Sequence, residues 1–172
     1  MSTMSGRAWK FGDNILNDGE IMPIEQTKLG VFDPQKLAQH CMVGLDPDFP
    51  KKVKPGDIIF AGKQFGKGQL HVQGPLGIKG LGVGLVTSSL TRNFFRLAVS
   101  AGLNMLPFTP DAETAIGDGD QVDVDFRNGV IVNKTRDVKI LTKPLPEFLW
   151  EFMEFGGEKQ WILEKIGKAA TA

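Results

Sequence analysis

Asp57-Ile58-Ile59-Phe60-Ala61-Gly62-Lys63-Gln64-Phe65-Gly66-Lys67-Gly68-Gln69-Leu70-His71-Val72-Gln73-Gly74-Pro75 is the stretch that decides the fold. Asp57 to Gly62 is a short apolar run without polar alternation, the pattern of a parallel strand buried on both faces. It leads into a turn framed by Gly66 and Gly68, residues that accept positive φ without the steric cost of a Cβ. Leu81-Gly82-Val83-Gly84-Leu85-Val86-Thr87 repeats the buried-strand pattern. Leu90, Phe94, Phe95, Leu97, Ala98 and Ala101 then recur at helical spacing. Ser88 or Ser89 is placed to accept a bond from the first-turn amides, and Gly102 suits the left-handed residue that ends a helix. Alternating strand and helix signals predict an α/β fold with a mostly parallel central sheet.

Working outward, Gln121-Val122-Asp123-Val124-Asp125-Phe126 alternates with period two and turns through Arg127-Asn128-Gly129 into Val130-Ile131-Val132-Asn133. This is a hairpin with one wet face, and it makes Asp123 and Asp125 solvated strand residues rather than an acid/base pair. Past Pro144 and Pro146, Glu147 to Phe155 and Glu158 to Lys168 read as two short amphipathic helices. Upstream, Asp33 and Pro34 sit where a helix cap and first position belong, ahead of a helix over Gln35 to Met42. That helix carries Cys41, read as a small half-buried hydrophobe, and His40, read as a surface residue. No repeat or linker divides the chain, so residues 1–172 are expected to form one domain.

Composition excludes several classes of function. Twenty Lys plus Arg against twenty Asp plus Glu leave no net charge, so nothing points to a nucleic acid or an anionic membrane as partner. No apolar run approaches the ~18 residues of a spanning helix, and the first residues lack the apolar core of a secretory signal. A soluble, cytoplasmic protein is expected. Its one cysteine allows no internal disulfide and cannot by itself hold an iron–sulfur cluster, which takes several thiolates.

The loop and four further segments resemble one family in that family's own order, over roughly residues 6–142. Phe11-Gly12-Asp13-Asn14-Ile15 with Asp18, followed by Ile21-Met22-Pro23, resembles FGDNIDTD-x-IIP. Val53 to Gly62 resembles VKPGDIIVAG, and the loop that follows resembles AG-x-x-FGCGSSREHAP. Ser88 to Arg96 resembles SFARIFFRN, and Gly102 to Leu106 resembles GLPLL. These are motifs of the swivelling domain of the aconitase superfamily, most closely of the small subunits of 3-isopropylmalate dehydratase. The resemblance implies a swivelling β/β/α domain and a hydro-lyase (dehydratase or isomerase) subunit that acts on a 2-hydroxy acid in leucine biosynthesis. It also implies a larger partner subunit carrying a [4Fe-4S] cluster, with no metal on this chain.

In the family, a serine of the loop acts as alkoxide to remove the proton alpha to a carboxylate, and the neighbouring Arg holds a carboxylate in a two-bond fork. Carried over by position, the two serines fall on Gln69 and Leu70 and the Arg on His71, while the family Cys, Glu and His become Lys67, Val72 and Gln73. Gln69 cannot ionise. His71 is then the one residue of the loop that transfers protons near neutrality, since an unperturbed imidazole has a pKa of about 6.5. It is the candidate catalytic residue. Lys28, Gly66, Lys67, Gly68, Gln69, His71 and Arg92 are the candidate substrate-binding residues, with the Gly66 to Gly68 amides available to an anion. Gly74 and Gly77 are expected to weaken the helix that follows. Three functions stay open: an altered hydro-lyase subunit, a catalytically silent structural or regulatory subunit, and a stand-alone carboxylate-binding module.

Overall fold

The computed structural model describes residues 2–170. Among these residues seven strands form one sheet in the order β4-β3-β2-β1-β5-β6-β7. β1 (Thr3–Lys10), β2 (Ile58–Ala61), β3 (Gly84–Thr87) and β4 (Met105–Leu106) are parallel, neighbour to neighbour. β5 (Gln121–Asp125) lies antiparallel to β1, and β6 (Val130–Asn133) and β7 (Val138–Leu141) extend it as a meander. β6 therefore runs with β1 to β4, and most strands share one direction, as the sequence predicts.

α4 (Gln73–Gly80) connects β2 to β3, and α5 (Arg92–Ala101) connects β3 to β4, the crossovers that parallel neighbours require. Every residue of β2 and β3 is buried, which is why both read as unbroken apolar runs. α2 (Pro34–Ala38) packs on α4, α4 on α5, and α5 on α7 (Glu147–Glu154) and α8 (Glu158–Ala170). Burial of the Lys79 ammonium pulls its pKa below the usual lysine range. That ammonium ties the ends of α5 and α7 together by donating to Ala101 O at 2.9 Å and to Gly156 O.

β1 is central yet gives little strand signal, because the side chains alternating along it toward the core are Met4, Gly6 and Ala8. Gly6 must be small, since a Cβ there would come within 2.6 Å of Gly56 O. Asp57, 6% exposed, closes this end of the sheet. Its carboxylate accepts from Arg7 N at 2.9 Å, Trp9 Nε1 at 2.9 Å and Lys54 N at 3.0 Å.

Three local expectations are corrected. Thr91, not Ser88 or Ser89, caps α5, because the chain stays extended through Thr91 at ψ 148°. Its Oγ1 accepts from Phe94 N at 3.4 Å, while Ser88 Oγ donates to Glu113 and Ser89 Oγ accepts from Gln64 N. Gly102 closes the same helix at φ 70°, as read from the sequence. α2 starts on its Asp33 cap but stops at Ala38 rather than Met42, since Met42 takes φ 62° and donates its amide to Ile21 O at 2.7 Å. Cys41 is wholly rather than half buried, and desolvation pushes its thiol far above the usual range.

α4 forms in spite of its glycines, and they are there for contact. A Cβ at Gly77 would strike Met22 Cε, and one at Gly80 would strike Pro34 O. The helix approaches α2 and the segment after β1 too closely for side chains.

Candidate functional site

β1, β2 and β3 all end at one edge of the sheet, where ligands bind in parallel α/β folds. The segments leaving them are stitched together by their backbones. Gly66 N and Lys67 N both donate to Ile15 O at 2.9 Å, and Asn17 N donates to Lys67 O at 2.7 Å. Phe65 N donates to Ser89 O at 3.0 Å, and Thr91 N donates back to Phe65 O at 3.0 Å. The 63–68 segment thus lies between its two neighbours like a continuation of the sheet. Phe65 is fully buried beneath it, edge-on to Phe94 with ring centroids 5.1 Å apart. Gly66 takes φ 77°, and a Cβ there would collide with the Phe94 ring. Thr91 Oγ1 donates to Gly66 O at 2.6 Å and pins the turn to the start of α5.

This stitching corrects one expectation. The amides of Gly66 and Lys67 are spent on Ile15 O, so they are not available to an anion. Among the described residues, those of Gly68, Gln69 and Leu70 have no protein acceptor. Gly66 is buried, Lys67 half-buried, and Gly68 to Leu70 are exposed.

The loop turns back at His71, whose Nδ1 lies 2.9 Å and 3.0 Å from the two oxygens of the Asp18 carboxylate. An ionised carboxylate only accepts, so Nδ1 carries a proton, and in the neutral ring Nε2 is the nitrogen with the lone pair. The side chains are 32% and 19% exposed, which leaves Nε2 within reach of a ligand while Asp18 fixes the ring. A carboxylate-held, partly exposed imidazole at the ends of the strands can act as a general base.

Asn17, 1% exposed, supports the turn from below. Its Nδ2 donates to His71 O at 2.8 Å and Gln69 O at 3.3 Å. Its Oδ1 is buried with no hydrogen-bond partner among the described residues, a state that costs ~1–3 kcal/mol.

The remaining candidates are distributed unevenly. Lys67 is beside the turn, with Nζ 3.4 Å from Asn14 Oδ1. Arg92 opens α5 immediately after Thr91, exposed and without a side-chain partner among the described residues. Lys28 is exposed at the end of α1 (Ile24–Lys28), and among the described residues no hydrogen bond or ion pair joins it to the loop. Gln69 is exposed, and Leu70 is 56% exposed. Sequence reasoning gave Asn17 no role beyond interrupting the family motif and named Asp18 only within the resemblance of residues 11–23. The Asp18 to His71 pairing spans 53 positions, and no local pattern reports it.

Among the described residues no three His, Cys, Asp or Glu side chains converge in a way that could hold a metal, and the Cys41 thiol is sealed in the core. With one cysteine, and that one buried, the donor set of this chain does not fit an iron–sulfur cluster. No described helix is long and apolar enough to cross a membrane.

No family model matches the chain. It is 40% identical over 169 residues, covering 98% of each chain, to the isopropylmalate/citramalate isomerase small subunit of Methanocaldococcus jannaschii. It is also 40% identical over 164 residues, 95% of each chain, to the 3-isopropylmalate dehydratase small subunit of Thermodesulfovibrio yellowstonii. Among solved structures, a crystal structure of 3-isopropylmalate dehydratase from Methanocaldococcus jannaschii matches with a TM-score of 0.85 at 34% identity, covering 99% of both chains. Fold, loop position and relatives together define the class as the small subunit of an aconitase-type hydro-lyase. Within that class, the chain belongs to the 3-isopropylmalate dehydratase small-subunit family.

Proposed function

We propose that this chain completes a two-subunit hydro-lyase acting in the cytoplasm on a 2-hydroxy acid of the isopropylmalate or citramalate type, with His71 as the base. The single observation that carries the reading is the imidazole of His71 held by Asp18 at the turn where the family pattern has its serines and arginine. His71 Nε2 takes the proton from the carbon alpha to a carboxylate, the C–H electron pair becomes the double bond, and the hydroxyl on the neighbouring carbon departs with the C–O pair as hydroxide. The hydroxide takes up a proton from solvent to become water, and the imidazolium later returns its own proton to solvent. Asp18 stabilises the imidazolium that results. Lys67, Arg92 and the amides of Gly68 to Leu70 face the substrate's carboxylates. A lysine supplies point charge rather than a two-bond fork, which fits a looser grip than the family's arginine gives. The large subunit would hold the [4Fe-4S] cluster, a Lewis acid toward the departing hydroxyl.

Co-expression with the large subunit tests this. The two chains should co-purify and interconvert isopropylmalate or citramalate isomers, while the isolated chain shows neither cluster absorption nor turnover. Stoichiometric cluster iron on the isolated chain would overturn the proposal. A second reading, the silent subunit, is favoured by Gln69, which cannot ionise, and by Leu70, which has no polar side-chain atom. It becomes the better account if the two chains assemble and the complex has no hydro-lyase activity.

A further inference from the structure

Resting on the reading of His71 as the base, we propose that Asn17 is the positioning residue of the 69–71 turn, with Gly74 as its obligatory steric partner. The Asn17 carboxamide bridges two carbonyls of that turn, Gln69 O and His71 O, on either side of Leu70. Only an NH₂ group can do this, since both acceptors are carbonyls, and the orientation of the amide is fixed by them. Its Oδ1 is thereby aimed away from the loop at Gly74, in the first turn of α4. A Cβ at Gly74 would collide with that oxygen, with Ile21 Cγ2 close behind at 3.3 Å. Asn17 is 1% exposed and cannot swing aside without breaking the bonds to the turn. One side chain therefore sets the height of the base above the helix, and one glycine makes room for it.

The family pattern quoted above has Thr and Ala at these two positions, a smaller side chain against a larger one. In this chain Asn17 and Gly74 fill that space the other way round, a larger side chain against none, and Asn17 adds bonds to two carbonyls under the turn. Asn17 touches no reacting atom and acts through His71.

The test compares Asn17→Thr, Gly74→Ala and the double variant, in the isolated chain and in the assembled complex. Gly74→Ala alone should lower Tm by roughly 4 °C or more, from overpacking, and adding Asn17→Thr should restore most of that loss. The stable double variant should nevertheless show a mobile His71 ring by ¹³C relaxation, readily assigned because the chain has two histidines. In the complex its kcat should fall ~10-fold or more with KM little changed, the signature of a misplaced base. A His71 ring as rigid in the double variant as in the natural chain overturns the proposal, as does a double variant no more stable than Gly74→Ala. The ring measurement stands whether or not His71 is the base. If His71→Ala leaves kcat intact, the catalytic reading fails while the positioning of the turn is still decided.

Discussion

Asp57 and Asn17 are both buried polar side chains that tie backbone segments beside β1, and they are finished differently. Asp57 accepts three hydrogen bonds and uses both of its oxygens. Asn17 spends its amide nitrogen on two carbonyls of the loop and leaves its oxygen against Gly74, without a hydrogen-bond partner among the described residues. At the scaffold end of the sheet the Asp57 carboxylate is satisfied outright. At the loop end satisfaction is given up to hold a particular turn. Strain and unmet bonding of this kind gather where structure serves chemistry rather than stability.

The contrast breaks most directly by removing the scaffold clasp. Asp57→Ala strands the Trp9 indole and two backbone amides and should cost about 3 kcal/mol in denaturant unfolding. A loss under ~1 kcal/mol would mean that water replaces the carboxylate and that Asp57 is no clasp. Gly66→Ala attacks the other end, forcing a Cβ at φ 77° into the Phe94 ring. It should cost about 2–3 kcal/mol and move the amide signals of residues 65–68. Unchanged signals in that segment would show that the turn does not depend on its glycine.

A smaller, pH-dependent effect sharpens the scaffold side. Burial alone would raise the Asp120 carboxyl, but bonds from Gly117 N, Asn133 Nδ2 and the Arg136 guanidinium hold it below the usual carboxylate range. A carboxyl with a lowered folded pKa binds fewer protons folded than unfolded, so its stabilisation is complete above the unfolded value of about 3.9 and fades as pH falls through the folded one. Asp120→Asn should therefore flatten the stability curve below about pH 4. An acid limb as steep as that of the natural chain would assign acid sensitivity to other carboxyls. The smallest effect is expected at Lys28→Ala, exposed and apart from the loop, which should change stability by less than ~0.5 kcal/mol.

The same contrast governs what the sequence could tell. Strands β2 and β3 announce themselves because they are covered on both faces, and Gly102 does so because a helix end has a local chemical signature. β1 escapes notice because its core-facing residues are small enough for close neighbours, and α4 looks weak because its glycines serve contact with α2 rather than helix propensity. The frame of the loop is readable for the reason that makes Gly66 necessary: one residue type solves a positive φ under a ring. The Asp18 and His71 pair and the Asn17 bridge join segments more than fifty positions apart. Only the fold brings them within bonding distance. The cap of α5 is mis-assigned by sequence for a related cause, since Ser88, Ser89 and Thr91 are chemically equivalent caps and tertiary partners choose among them.

The central claim is that a positioned imidazole has taken over at a turn stripped of its serines and arginine. The direct measurement is the steady-state kinetics of His71→Ala in complex with the large subunit. kcat should fall by ~10²–10⁴-fold, the usual cost of losing a general base, with KM little changed. An unchanged kcat would contradict the claim and leave the loop as a relic on a silent subunit.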